Sequence, residues 1–344
     1  MFRGDRTVLA ALALLGGLCA VRAETDVHVA LVRSISNGAE LIALDRGYFK
    51  EAGLNVTIED INTSANTIAM LATNRLQIIA GGISAGYFNA LEKNIPVTII
   101  GDRVSTPIRH NLMLRPDLKD QITDLKQLKG KTIASNGTGS VSTYELGKML
   151  ETAGLKLSDV EVKILGFPQM GPAFANKAID AALVIPPFTY EFIDQHLAVE
   201  FAEVDKLVKP NPMTIAVIMT NTDWAKEHHD ALQGYVNAYL RGVRDYCNAY
   251  HHGSVRKEMI DSIVKHAAER NPKLLNEFPW VARSPNLRVN VASMLDMQDW
   301  FVANKFSNAK LPVEKLLDMS YADAAIKKLG PFVPEKDSKL EGCR

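Results

Sequence analysis

The chain has 344 residues, with 39 Lys and Arg against 39 Asp and Glu, a formal net charge of zero. That length supports two ordinary lobes, and that balance supplies none of the basic patch or stripe a nucleic-acid binder needs. Beyond the N-terminus no apolar run approaches the roughly 20 residues of a membrane-spanning helix, so a soluble mature protein without a nucleic-acid partner is expected.

The N-terminus reads as an export signal. Arg3 and Arg6 precede the apolar run 7–21, and Val21-Arg22-Ala23 offers small residues at a cleavage site, so residues 1–23 are expected to be removed after Ala23. Cys19 follows the bulky Leu18, a poor setting for lipid attachment. Losing Arg3, Arg6 and Arg22 against Asp5 turns the formal charge from zero to −2. Of the remaining cysteines, Cys343 is penultimate in a polar tail and Cys247 sits in an amphipathic helical pattern. Cys247 therefore reads as a buried free thiol rather than half of a disulfide, and no CxxC motif is present.

Residues 27–32 read as a strand, 37–46 as a helix, and 54–59 as a strand in which Leu54, Val56 and Ile58 alternate with Asn55, Thr57 and Glu59. Gly47 supplies the positive-φ residue that often follows a helix end, with Tyr48-Phe49 as apolar anchors beside it. Helix 65–74, strand 77–80, helix 84–92 and strand 97–100 follow. Such alternation argues for an α/β lobe with a mostly parallel sheet covered on both faces. A second run comprises 111–114, 132–134, 141–153, 160–165, 172–177 and 181–185, and residues 174–183 echo 69–80 as a duplicated lobe would. Residues 213–220 read as a strand. From Asp223 the chain is helical, with Leu232, Val236, Tyr239, Leu240 and Val243 at helical spacing. Two crossings are expected near 105–110 and 209–214, where Pro107, Pro210 and Pro212 interrupt regular structure. The expected division is 24–106 and 213–344 for one lobe and 107–212 for the other.

Gly47-Tyr48-Phe49, three further residues, then Gly53-Leu54-Asn55-Val56 resembles the first helix–strand corner of the ABC-importer solute-binding proteins for nitrate, alkanesulfonates, taurine and thiamine precursors. Ile179-Asp180-Ala181-Ala182 matches the second-copy pattern of that family, and residues 318–324 with Leu329-Gly330 resemble its closing segment. Gln77, where the first copy often has Asp, departs from it. The resemblance implies a two-lobed periplasmic-binding-protein fold of the second type, with C-terminal helices packed on the first lobe. It also implies a periplasmic location, a monomer, a small-molecule solute and a membrane permease of an ABC importer as partner.

Ligands of open α/β sheets bind outside the carboxyl ends of the strands, which selects the candidate loops. Ser34, Ser36 and Asn37 follow the first strand, with Ser36 or Asn37 as an expected N-cap. Gly82 allows close backbone approach and Ser84 can cap or donate. Asn136, Gly137, Thr138, Gly139 and Ser140 form the strongest candidate, because free N–H groups at a helix start bind anions. Phe167, Pro186 and Phe188 complete the second rim, and Tyr87 is a further candidate for an apolar wall. Arg109, in the first crossing, is the expected anchor for a carboxylate or sulfonate, with Arg33 as a weaker alternative and His110 as a hydrogen-bond donor.

Gly137-x-Gly139-x-x-Ser142 lacks the third glycine of a dinucleotide fingerprint, and the pairs His228-His229 and His251-His252 are too far apart to share an ion. No cofactor, metal or catalytic residue is expected. The leading reading is capture of a small organic anion by hinge closure, without a chemical step. The alternatives are an enzyme on the same scaffold, such as a thiamine-pyrimidine synthase-like protein whose cysteine-rich iron motif is missing here, and a binder of a neutral pyrimidine-type solute.

Overall fold

The structure is a computed structural model and describes residues 24–32, 34–61, 67–266 and 270–344. The expected export signal, Arg33 and the start of the helix expected at 65 lie outside the described residues. In chain order the first part holds β1 (Thr25–Val32), α1 (Gly38–Asp45), α2 (Tyr48–Glu51), β2 (Leu54–Ile61), α3 (Ile68–Ala72), β3 (Ile78–Gly82), α4 (Ala85–Glu92) and β4 (Val97–Ser105). The second holds β5 (Asn111–Leu114), β6 (Thr132–Ser135), α5 (Val141–Thr152), β7 (Glu161–Ile164), α6 (Phe167–Ala175), β8 (Ala181–Val184), α7 (Phe188–Asp194), β9 (Val199–Glu203) and α8 (Val204–Leu207). The chain returns through β10 (Thr214–Asn221) to α9 (Thr222–Glu227), α10 (His229–Tyr250), α11 (Arg256–Lys265), α12 (Pro272–Glu277), α13 (Val291–Ala303) and α14 (Ser320–Leu329).

Two five-stranded sheets result, ordered β2-β1-β3-β10-β4 and β7-β6-β8-β5-β9. In the first, β1 pairs parallel with β2 and β3, while β10 runs antiparallel between β3 and β4. In the second, β6 pairs parallel with β7 and β8, while β5 runs antiparallel between β8 and β9. Each sheet therefore receives, in the same slot, the strand that has just arrived from the other lobe. The α/β, two-lobed expectation holds, and each sheet is mixed through that one strand.

The glycine–aromatic corner has a packing reason. Gly47 sits at φ +70° between α1 and α2, a conformation that costs glycine little. Phe49 is buried and stacks on Tyr235 of α10 at 5.1 Å. The Tyr48 hydroxyl donates to Asp245, and the Arg241 guanidinium lies 3.6 Å over the Tyr48 ring. The corner thus locks the first βα unit to α10, whose buried face includes Leu232, Val236, Tyr239, Leu240 and Val243.

Several expectations need correction. The helix expected at 172–177 begins at Phe167, because Pro168 in its first turn forfeits no hydrogen bond there. The strand expected to end at Ile100 continues to Ser105, paired along its length with β10, and so carries Asp102 and Arg103 into the interior. β9 was not expected at all. Cys343 does not lie in a solvated tail: it is buried beside Cys247, and its carbonyl accepts from or lies against the His251 ring at 3.1 Å. Both thiols are free. Among the described residues no helix is long and apolar enough to cross a membrane.

Candidate functional site

A cavity of about 60 Å³ lies between the two sheets. Its wall includes Ser34 and Ser36 after β1, Gly81 and Gly82 at the end of β3, and Asn136, Ser140 and Ser142 around the start of α5. Phe167 at the start of α6, and Ile185-Pro186 after β8, form the rim contributed by the second lobe. These are the carboxyl ends of parallel strands, where backbone N–H groups and helix starts converge. The cavity volume exceeds the roughly 10–15 Å³ needed to admit one water.

The lobes touch beside this cavity. The Ala85 N–H, at the start of α4, donates to the Gly139 carbonyl at 2.9 Å. Further along the same face, Tyr144 Oη donates to Asp296 at 2.7 Å and Trp300 Nε1 to Glu151 at 2.7 Å, joining α5 to α13.

Of the residues selected from sequence, Ser34, Ser36, Gly82, His110, Asn136, Ser140, Phe167 and Pro186 line the cavity. The other described candidates do not line it. Asn37 is buried behind the wall, where its side chain accepts from Arg103. Neither Ser36 nor Asn37 caps a helix through its side chain; the turn Ile35–Asn37 is a short 3₁₀ segment leading into α1. Ser84 is buried with its hydroxyl unpartnered, outside the cavity wall. Gly137, Thr138 and Gly139 also fall outside it: the Gly137 carbonyl accepts from Thr143, and Gly139 is occupied by Ala85. Phe188 backs Phe167, their rings stacked at 5.8 Å. Tyr87 is buried in the core, with its hydroxyl on the Leu316 carbonyl.

Arg109 is the main displacement. It adopts φ +57°, and the N–H groups of Ile108 and Arg109 both donate to the Asp205 carboxylate at 2.9 Å. That clamp turns its side chain toward a second cavity, shared with Tyr250, His252, Arg256, Phe278 and Trp280. The positive φ had no legible signal, since arginine rarely adopts it.

The cation at the cleft is instead Arg103, which sequence reading missed because its strand was ended early. Its Nε donates to Glu40 Oε1 at 2.8 Å, and its other contact is Asn37. His110, expected as a donor, does line the cavity; its Nδ1 lies 2.9 Å from the buried Glu145 carboxylate. Ser34 and Ser36 hydroxyls are 2.6 Å apart. Ser140 caps α5 by accepting from the Thr143 N–H at 3.3 Å. Asn136 Oδ1 and Ser142 Oγ are buried, and neither has a hydrogen-bond partner among the described residues. Buried polar atoms are rarely left unpaired, because each costs about 1–3 kcal/mol. Among the described residues no group of three His, Cys, Asp or Glu side chains is placed to hold a metal ion.

Two α/β lobes closed over a cavity between them define the periplasmic-binding-protein class of fold. The family model described as NMT1/THI5 like matches residues 37–249, more than half of the chain, and the chain belongs to that family. Among solved structures, the alkanesulfonate-binding protein SsuA of Xanthomonas axonopodis pv. citri bound to MOPS is similar over 88% of this chain and 99% of its own, at 15% identity and TM-score 0.68. The periplasmic nitrate-binding protein NrtA of Synechocystis PCC 6803 is similar over 92% of both chains, at 13% identity and TM-score 0.72. The desulfurization enzyme DSZB is also similar, over 89% of this chain and all of its own, at 12% identity and TM-score 0.62. At such identities the likeness is one of fold. Comparison with curated protein sequences gives no match.

Proposed function

We propose that the protein is the extracytoplasmic solute-binding component of an ABC importer, which captures a small organic solute between its lobes and presents it to a membrane permease. The observation that carries this reading is the pair of unpartnered buried polar atoms, Asn136 Oδ1 and Ser142 Oγ, in the wall of an inter-lobe cavity. A bound solute supplies their missing hydrogen bonds, and the Ser34 and Ser36 hydroxyls add two more polar contacts. Hinge movement at residues 106–110 and 208–213 opens and closes the cavity. Export with removal of residues 1–23 and action as a monomer belong to the same reading.

Arg109 supplies no countercharge for an anion, and the start of α5 offers only the partial charge of a helix end. No chemical step is proposed. His110 and Glu145 form an imidazole–carboxylate pair, but among the described residues no serine hydroxyl or cysteine thiol is hydrogen-bonded to that imidazole. Native mass spectrometry of protein purified without denaturation tests the reading. A small molecule retained by the wild type and lost from Asn136→Ala is the expected result. A wild type that carries nothing, and gains no thermal stability from the small-molecule extract of its own cells, would sink it.

A further inference from the structure

Among the described residues the charged groups around the cleft cancel one another. Arg103 is the cation that reaches the cavity wall, and its Nε is bonded to Glu40 at 2.8 Å with side-chain exposures of 3% and 1%. Behind it lies Arg283, which donates to the Ser36 carbonyl at 2.5 Å and rests 3.9 Å over the Tyr246 ring. Its charge faces the buried carboxylates of Asp102 and Glu40. His110 is paired with the buried Glu145, so the pair adds no net positive charge. Among the described residues Arg103 therefore meets Glu40, Arg283 stands in the field of Asp102 and Glu40, and the imidazole meets a third carboxylate. Arg109 faces another cavity.

On the reading that this cleft binds a solute, we propose that the solute is uncharged and carries its own hydrogen-bond donors, and that Glu40 sets this preference by cancelling the Arg103 charge. A sulfonate or carboxylate would bring an uncompensated negative charge into a partly buried site, which is costly unless a partner charge awaits it. The start of α5 offers only about half a positive charge. Part of that is already spent: Ser140 caps the Thr143 N–H, and Glu145 is buried in the same helix. One of the two unpartnered groups points the same way, whereas the Ser142 hydroxyl can donate or accept. Asn136 Oδ1 accepts, and a carboxylate or sulfonate has no donor to give it, whereas an amide, alcohol or ring N–H does. Glu40 does not line the cavity and acts through Arg103, as a positioning residue for specificity.

Thermal-shift and calorimetric titrations with matched probes test this: benzoate against benzamide, nicotinate against nicotinamide, and methanesulfonate as a compact anion. The wild type is expected to respond to the carboxamides and not to the acids. Glu40→Gln, which leaves Arg103 uncompensated, is expected to gain methanesulfonate or carboxylate affinity by roughly tenfold or more, the effect of about 1.4 kcal/mol. Glu40→Leu combined with Arg103→Met removes both charges together and guards against a folding defect in the single variant; it is expected to keep the carboxamide preference. A wild type stabilised by the acids more than by their amides overturns the proposal, as does a folded Glu40→Gln protein that gains no anion affinity. A wild type silent to every probe counts against solute binding itself, while the anion gain in Glu40→Gln would still support the charge argument on its own.

Discussion

Thr214 Oγ1 donates a 2.9 Å hydrogen bond to Asp102, joining the strand that leaves the first sheet to the strand that re-enters it. The same carboxylate accepts from the Ser284 N–H at 2.8 Å and from the Ser105 hydroxyl at 3.2 Å. Both chain crossings are thereby referred to one buried group.

Burial raises the Asp102 pKa from 3.8 to about 6, partly offset by the Ser284 N–H and the Thr214 hydroxyl. The unfolded chain ionises this group near 3.8 and the folded one near 6, so the folded state binds more protons between those values. Its contribution favours folding when protonated and is lost as pH rises through about 6, a cost of roughly 3 kcal/mol at neutral pH. Asp102→Asn is expected to remove this decline. Chemical denaturation at several pH values between 3.8 and 6 checks it; an unchanged slope in the variant contradicts the assignment.

Arg109 is expected to matter for the hinge and little for the solute. Arg109→Ala should leave retention of the solute in native mass spectrometry unchanged, because the side chain is in a different cavity. Asp205→Asn should cost stability by about 1–3 kcal/mol, since two backbone N–H groups of the crossing lose a charged acceptor. Loss of solute in Arg109→Ala, with stability intact, would return that residue to the cleft.

Gly242 allows α10 to approach α1. A Cβ there would stand 2.1 Å from the Ala39 carbonyl oxygen and 3.0 Å from Ala43 Cβ. Backbone cannot give way as a flexible side chain does, so Gly242→Ala is expected to lower stability by about 3 kcal/mol or more. Equilibrium urea unfolding reads this directly, and a loss below about 1 kcal/mol would mean the helices separate freely.

The fold was legible where local pattern and tertiary role agree. Gln77 and Asp180 show it well. Gln77 Oε1 accepts from the His28 N–H at 2.8 Å, and Asp180 Oδ2 accepts from the Thr132 N–H at 3.0 Å, each clamping the parallel strand beside its own. The residue that looked like a departure from the family pattern does the same work with an amide oxygen. Asn74 and Lys177, three residues before each, both take a positive φ, which completes the echo between the lobes. The cleft was less legible. Its loops were found, because strand ends announce themselves, but its cation was not. Arg103 follows Gly101 and Asp102, a polar run that ends a strand by pattern and continues one only because β10 pairs with it. Pairing between residues 112 apart leaves no local trace, and neither does the clamp that turns Arg109 away.

Closure should be adjustable from outside the cavity. Tyr144 and Lys148 of α5 both reach Asp296 of α13, at 2.7 and 3.1 Å, and neither residue lines the cavity. These contacts exist only while the lobes are together, so their free energy counts toward the closed state. Apparent solute affinity scales with the fraction of protein in the binding-competent form. Tyr144→Phe removes one charged hydrogen bond, worth about 1.5–3 kcal/mol when its acceptor is ionised, and shifts the balance toward the open form. The expected result is weaker solute binding, with a larger radius of gyration by small-angle scattering in solute-free protein. Asp296→Asn should act in the same direction. Weaker binding without expansion would place the effect in folding of α5, and expansion without weaker binding would mean that closure is not part of capture.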